Sequence, residues 1–496
     1  MLKPLVFIFL LLPFLPACTV TKNNAATHKY PRNSLQSDFL LLQNILEAKH
    51  PSLYWYTPKD SMDQYFAQYY AAIEDSMTEL QFAWKILAPV VDKIHCGHTS
   101  LSMSKPYSRW AEGKRQPSFP LYFKVWNDTM AVTANLNRKD SIFNRGTLVT
   151  AINGVNNADM ISHIFSFLPE DGHAENVNYM RLSGNFPYFH RNIYGLDSTY
   201  KVNYIDSAGN PAMAKVKAWF PPKDSLKKDS LAKIEKPKKP KVPKEKRLKR
   251  YRSLDYDSTG KIAVMTLNSF SNGQLRRFWR RSFREMREKK IENMILDLRL
   301  NGGGKVGLST LLTRYISHQP FKVADTLTTN SRCLSPYTKY IKGHFLNNIE
   351  LWFIAHKKSD GQYHLSHLEK KLYEPKKNNH YSGTVYVLTT GITFSASSLF
   401  CNAVKAQDNI IIAGEETGGG WYGNNGIMIP DVTLPHTGLR MRLPLFRLVQ
   451  YKHVLFKGTG VLPDIFIPPN YPALLQNVDF KMKTVLQGIY AGVKIK

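Results

Sequence analysis

Asn293-Met294-Ile295-Leu296-Asp297-Leu298-Arg299-Leu300-Asn301-Gly302-Gly303-Gly304 decides how this chain of 496 residues is read. Its first half is a short apolar run, the pattern of a strand buried on both faces; its second half is a glycine turn that opens a helix. Three successive glycines let backbone amides turn toward a ligand, and the helix start adds positive potential. The turn lacks the Lys-Ser/Thr of a P-loop and the spacing of a dinucleotide loop, so both are poor fits. Around it strands and helices alternate. Lys261–Leu267 reads as a strand, Gly273–Lys290 as a basic amphipathic helix and Gly304–Ile316 as a second helix. Thr384–Leu388 and Ile410–Ala413 read as buried strands flanking a helix from about Ser397 to Ala406. This is an α/β rhythm.

Three further motifs share the same junctions. Gly391-Ile392-Thr393-Phe394-Ser395-Ala396-Ser397-Ser398 places a serine among small residues where a strand passes into a helix, so that its hydroxyl can project from a sharp turn. Gly414-Glu415-Glu416-Thr417-Gly418-Gly419-Gly420 follows the next strand, and Gly458-Thr459-Gly460-Val461-Leu462-Pro463-Asp464 comes later. In this order and spacing the four motifs resemble the serine peptidase family of the C-terminal processing (tail-specific) proteases and the tricorn core protease. The resemblance runs from Lys261 to about Pro468. His-Pro-Ser-Leu-Tyr (50–54) and Gly97-His98-Thr99 extend it toward bacterial membrane-associated members.

The resemblance implies a crotonase-like ββα-spiral core within a multi-domain α+β chain, a polypeptide substrate and no cofactor. Carried over residue by residue, Ser395 matches the nucleophile and Ala396 the oxyanion donor beside it. Gly302 or Gly303 matches the other donor. Two amides aimed at a developing oxyanion are typically worth a few kcal/mol of barrier, roughly 3 for each. Tail-specific enzymes take their base from a lysine shortly after Gly-Glu-x-Thr, but here the chain reads Gly418-Gly419-Gly420-Trp421-Tyr422, which excludes a Ser–Lys dyad at that spot. The tricorn-like and retinoid-binding-protein-like branch uses an N-terminal histidine instead, and His98 fits that position. A near-neutral imidazole suits a serine hydroxyl as base. The serine and glutamate that orient this histidine in the tricorn branch are replaced by Gly97 and Lys457. Glu415 and Glu416 are the nearest acidic candidates, and Glu415 is the expected third member. A catalytically weak or inactive binding protein on the same fold is the alternative reading.

The N-terminus reads as an address. Met1 to Ala17 has a short basic start and an apolar stretch too brief to span a bilayer. It runs into Leu15-Pro16-Ala17-Cys18, which resembles the lipobox of bacterial lipoproteins, with Cys18 the lipidated residue. The expected location is the bacterial cell envelope, anchored through lipid and facing the periplasm or the cell exterior. Residues 18–33 read as a tether and 34–115 as a helical domain carrying His98. Over 116–220, an Ile152-Asn153-Gly154 turn followed by a helix from Met160 to Leu168 and the strand Tyr200–Tyr204 resembles a PDZ domain, with a long insert between that helix and strand. The catalytic core is expected over 253–472 and a C-terminal helix over 473–496.

The formal net charge is +29. Residues 221–252 hold 14 Lys and Arg against four acids, with five prolines, which reads as a basic disordered insert. Arginines at 276, 277, 280, 281, 284 and 287 fall on one helix face and read as solvated. No nucleic-acid partner is therefore expected. Four cysteines without a CxxC pair exclude a disulfide scaffold and argue against structural zinc. His95 and His98 in His95-Cys96-Gly97-His98 make a metal pair conceivable, but no further ligands cluster in sequence, so no metal is expected.

Overall fold

The structure is a computed structural model that describes residues 25–222, 243–405, 407–452, 454 and 458–492. The expected signal segment, Cys18 and most of the basic insert lie outside those residues, as does Lys457. Two amphipathic helices come first, α1 (Arg32–Lys49) and α2 (Lys59–Ala71). Leu35, Phe39, Leu42, Ile45 and Leu46 recur at helical spacing and are buried. They do not close a core of their own. Their cluster continues through Phe321, Leu327 and Leu351 into Met441, Phe446 and Leu448. The N-terminal helices therefore share one core with strands some 300 to 400 residues away, which fixes the loop after residue 92 against the rest of the molecule.

A second unit is built on five antiparallel strands in sequential order: β1 (Leu121–Trp126), β2 (Thr129–Asn135), β3 (Leu148–Ile152), then β4 (Thr199–Ile205) and β5 (Pro211–Lys217). Leu121, Phe123 and Val125 point inward at alternate positions, as a half-buried strand requires. Between β3 and β4 lie α3 (Asn157–Phe165) and α4 (Asn176–Tyr194), the latter kinked at Asn185 ahead of Pro187. The long insert of the sequence reading is thus a helix and the loop 169–175 that precedes it.

The third unit is a six-stranded sheet. Its strands are β6 (Arg252–Tyr256), β7 (Ile262–Leu267), β8 (Asn293–Asp297), β10 (Thr384–Thr389), β11 (Ile410–Gly414) and β14 (Ile465–Phe466), in that order. All neighbours are parallel except β6 and β7. One face is covered by α5 (Leu275–Glu288), α6 (Val306–Ile316) and α7 (Ala396–Val404), the other by α8 (Phe480–Tyr490). On α5 the six arginines are exposed while Leu275, Phe278, Trp279, Phe283 and Met286 are buried, so the basic face is a solvated one. A separate sheet contains β9 (Ala324–Thr329), β12 (Gly423–Ile427) and β13 (Phe446–Gln450). The segment after 470 forms two helices, Tyr471–Gln476 and α8, where one was expected. Among the described residues no helix is long and apolar enough to cross a membrane.

Candidate active site

Parallel strands β8, β10 and β11 deliver their C-terminal turns to one edge of the sheet, the usual crevice of an open α/β sheet. Hydrogen bonds bind these turns together. Thr393 Oγ1 donates to the Leu298 carbonyl at 3.0 Å and Thr390 Oγ1 to that of Arg299 at 2.7 Å. The Phe394 amide donates to Asn301 O at 3.2 Å and that of Gly418 to Thr393 O at 3.0 Å. Several acidic residues of the sequence motifs are structural. Asp297 pairs with Arg299, which also binds Asp479, and Asp464 accepts from the Ile412 amide and pairs with Lys405. Val461 N donates to Thr417 Oγ1 at 2.8 Å, stitching the last two motifs together.

Ser395 sits where the turn enters α7, with φ 57° and ψ −122°. A side chain in that region is strained and persists only where its surroundings enforce it. The enforcement is visible in the glycines around it. A Cβ on Gly303, itself at φ +97°, would lie 2.6 Å from Phe394 O and 2.8 Å from Ser395 Cβ, and one on Gly419 would lie 2.9 Å from Ser395 N. Although Ser395 occupies the N-cap position, its side chain makes no capping hydrogen bond, so Oγ is left for other use. The Ala396 amide, first of the helix, has no intrahelical acceptor. Gly303 N–H is engaged by Asn301 Oδ1 at 3.0 Å, whereas Gly302 has open space where a side chain would be. Of the two glycines, Gly302 is the one whose amide remains available.

His98 reaches this turn from the N-terminal half and is buried. Its ring lies 4.7 Å from that of Phe394, and a Cβ on Gly97 would press into the same phenyl ring. His98 Nε2 makes no hydrogen bond, and no direct bond joins it to Ser395. Both Nε2 and Ser395 Oγ lie 3.0 Å from the point where a methyl on Gly426 would sit, so they are at most twice that distance apart. The other ring nitrogen, Nδ1, faces Asp171 Oδ1 at 3.4 Å. That carboxylate also accepts from the Gly97 amide at 2.9 Å and, through Oδ2, from the Gly420 amide at 3.5 Å.

Glu415 stands elsewhere, which corrects the sequence expectation. Its carboxylate pairs with Lys481 Nζ at 3.1 Å in a separate cavity lined also by Lys124 and Arg299. Glu416 accepts from the Gly460 amide. A β-strand ending in a sharp turn sends both residues away from His98. Asp171 was missed because it lies in the insert between α3 and α4, in a sequence without a motif. Gly426 was missed because Gly423-Asn424-Asn425-Gly426 has no strand pattern. Gly97, which takes the place of the expected serine, contributes its amide to Asp171 instead.

Behind His98 runs a buried polar network. Ser52 N–H donates to His50 Nδ1 at 3.2 Å, which fixes the proton on Nε2, and that nitrogen donates to Thr99 Oγ1 at 2.9 Å. Burial holds His50 far below the usual imidazole range, at about 3. Asn425 bridges Ser52 Oγ and Cys96 Sγ. Burial pushes the Cys96 thiol up to about 11, so it is no rival nucleophile.

Known proteins agree with this architecture. Residues 261–467 match the model of Peptidase family S41. No curated protein matches the chain by sequence. Mature CPAF is similar in structure at 13% identity, with 94% of this chain and 99% of that one covered and a TM-score of 0.62. CPAF complexed with lactacystin is similar at 14% identity, covering 93% and 99%, with a TM-score of 0.62. The tricorn protease shares 13% identity over 92% of this chain and 36% of its own, with a TM-score of 0.39. Residues 261–467 are thus similar to Peptidase family S41, and the solved structures that cover most of the chain share its fold.

Proposed function

We propose that the chain is a lipid-anchored serine endopeptidase of the cell envelope that cuts polypeptides through Ser395, His98 and Asp171. The observation that carries this reading is the convergence of Ser395 Oγ and His98 Nε2 on one point beside Gly426, with Asp171 behind the ring. Asp171 accepts from Nδ1–H and keeps Nε2 unprotonated toward the serine. Ser395 Oγ attacks the scissile carbonyl carbon as its proton passes to His98 Nε2. The oxyanion forms against the Gly302 and Ala396 amides, and the imidazolium returns the proton to the leaving amine. Water, deprotonated by the same nitrogen, then releases the acyl group from Ser395. Hydrogen bonds in such sites commonly tighten only when substrate is bound, which accommodates the loose Ser395–His98 geometry here.

Two features outside the catalytic residues complete the proposal. The antiparallel unit over 116–220 serves as a PDZ-like module that holds an extended peptide by strand addition. Cys18 carries the anchor, on the evidence of the Leu15-Pro16-Ala17-Cys18 string; several acyl chains, at about 0.8 kcal/mol per buried methylene, hold such a protein stably.

An active-site-directed fluorophosphonate tests the catalytic reading. Intact mass should show one adduct on the wild-type chain and none on Ser395→Ala. Absence of labelling on both, with the fold intact, would favour a peptide-binding protein on this fold.

A further inference from the structure

Other residues of the loops that carry His98 and Asp171 face a different cavity. His95 precedes His98 by one turn of chain, Glu170 adjoins Asp171, and His173 follows two residues later. His95 Nδ1 lies 3.0 Å from Glu170 Oε1, and the His95 and His173 rings meet edge to face with centroids 4.8 Å apart. One ligand atom from each of His95, Glu170 and His173 falls within 4.8 Å of the other two. The three side chains open on a cavity of about 270 Å³ that Asp92 and Glu175 also line. We propose that His95, Glu170 and His173 form a binding site for a divalent transition metal of the zinc class, on the reverse side of the His98–Asp171 pair.

The chemistry selects the ion. Two imidazoles and one carboxylate form a borderline-soft donor set, suited to zinc or cobalt rather than to calcium or magnesium, which prefer oxygen alone. Bonds of about 2.0–2.2 Å would require His173, the exposed member of the three, to draw in toward His95 and Glu170. The ion would displace the proton that now joins His95 Nδ1 to Glu170. Glu170 is already oriented, because its other oxygen accepts from Asn178 Nδ2 at 2.9 Å. The two loops are joined by the backbone as well: Gly172 N donates to His95 O at 3.0 Å, and His173 N to Gly458 O at 2.6 Å. A fourth position faces the cavity, where Asp92, Glu175 or water can complete a tetrahedron.

The proposed site stands on its own geometry, but its consequence rests on the catalytic reading above. A cation there would clamp together the loops that set the distance between His98 and Asp171, so occupancy would tune the peptidase. Binding can be measured without activity. Chelator-stripped, untagged full chain should take up one equivalent of Co2+ with the visible absorption of a tetrahedral site. Calorimetry should show Zn2+ competing for it. His173→Ala and Glu170→Gln should each weaken Zn2+ binding by about tenfold or more, with circular dichroism unchanged. Because Glu170 is buried, the exposed His173 variant guards against a folding artefact. Failure of the wild-type chain to bind overturns the proposal, as does equal binding by His173→Ala. Loss of binding in Cys96→Ser alone would place the ion on Cys96, His98 and Asp171 and would overturn it too.

Discussion

Ser395 and His98 meet from regions assembled in different ways. The strand, elbow and helix of the serine turn lie within about twenty residues, and Gly303 and Gly419, packed against the elbow from other turns, leave it no room to relax. The histidine depends on two loops 73 residues apart, joined through Asp171 by hydrogen bonds of 2.9 and 3.4 Å, with a third of 3.5 Å tying Asp171 to Gly420. Steric locking on one side and a few polar contacts on the other predict different sensitivities. Changes at the elbow should abolish chemistry outright. Changes at the loops should mistune it, and they offer a place where the site can be regulated.

Variants can break or sharpen that contrast. Ser395→Ala removes the proposed nucleophile and should lower kcat on an unstructured peptide by on the order of 10^6, to the level left by binding and the oxyanion donors. Asp171→Asn leaves the loop in place but spoils the tautomer of His98, and should cost about 10^4 in kcat. Gly426→Ala comes next. Its methyl would lie 3.0 Å from both Ser395 Oγ and His98 Nε2, at a position whose backbone permits alanine. We expect a loss of about 10^2 in kcat with the melting temperature nearly unchanged, because the reacting groups are wedged apart while the fold stays intact.

The smallest effect concerns the network behind His98. His50 is neutral in the fold down to about pH 3 but takes up a proton near pH 6.5 when unfolded. Its folded-state pKa is depressed, so the unfolded chain binds more protons as pH falls from about 6.5 toward 3. Stability is lost over that window, at about 1.4 kcal/mol for each pH unit. Thermal melts of His50→Gln across this range should show a shallower dependence than the wild type. Identical slopes would mean that His50 does not remain neutral.

The same contrast explains what could be read from the sequence. Residues 293–304 and 391–398 place strand, turn and helix in adjacent positions, and local pattern suffices for them. His98 was legible only through the resemblance carried by Gly97-His98-Thr99. Asp171 was not, since nothing about an aspartate in a 30-residue insert foretells that the insert folds back against His98 and the turn at Gly420. Glu415 was a reasonable choice by nearness in sequence, but the turn after β11 directs its carboxylate to Lys481. His95 and His173 could not be paired for the same reason. Their loops meet through backbone contacts such as Gly172 N to His95 O at 3.0 Å, and contacts at that range leave no periodicity.

The identity of the acid behind His98 is the point on which the account turns, and it can be measured side by side. Asp171→Asn and Glu415→Gln should be purified in parallel and their kcat/KM compared on one peptide substrate. We predict a loss of about 10^4 for Asp171→Asn and less than about threefold for Glu415→Gln. Near-wild-type activity in Asp171→Asn, or the larger loss in Glu415→Gln, would contradict the Ser395–His98–Asp171 assignment.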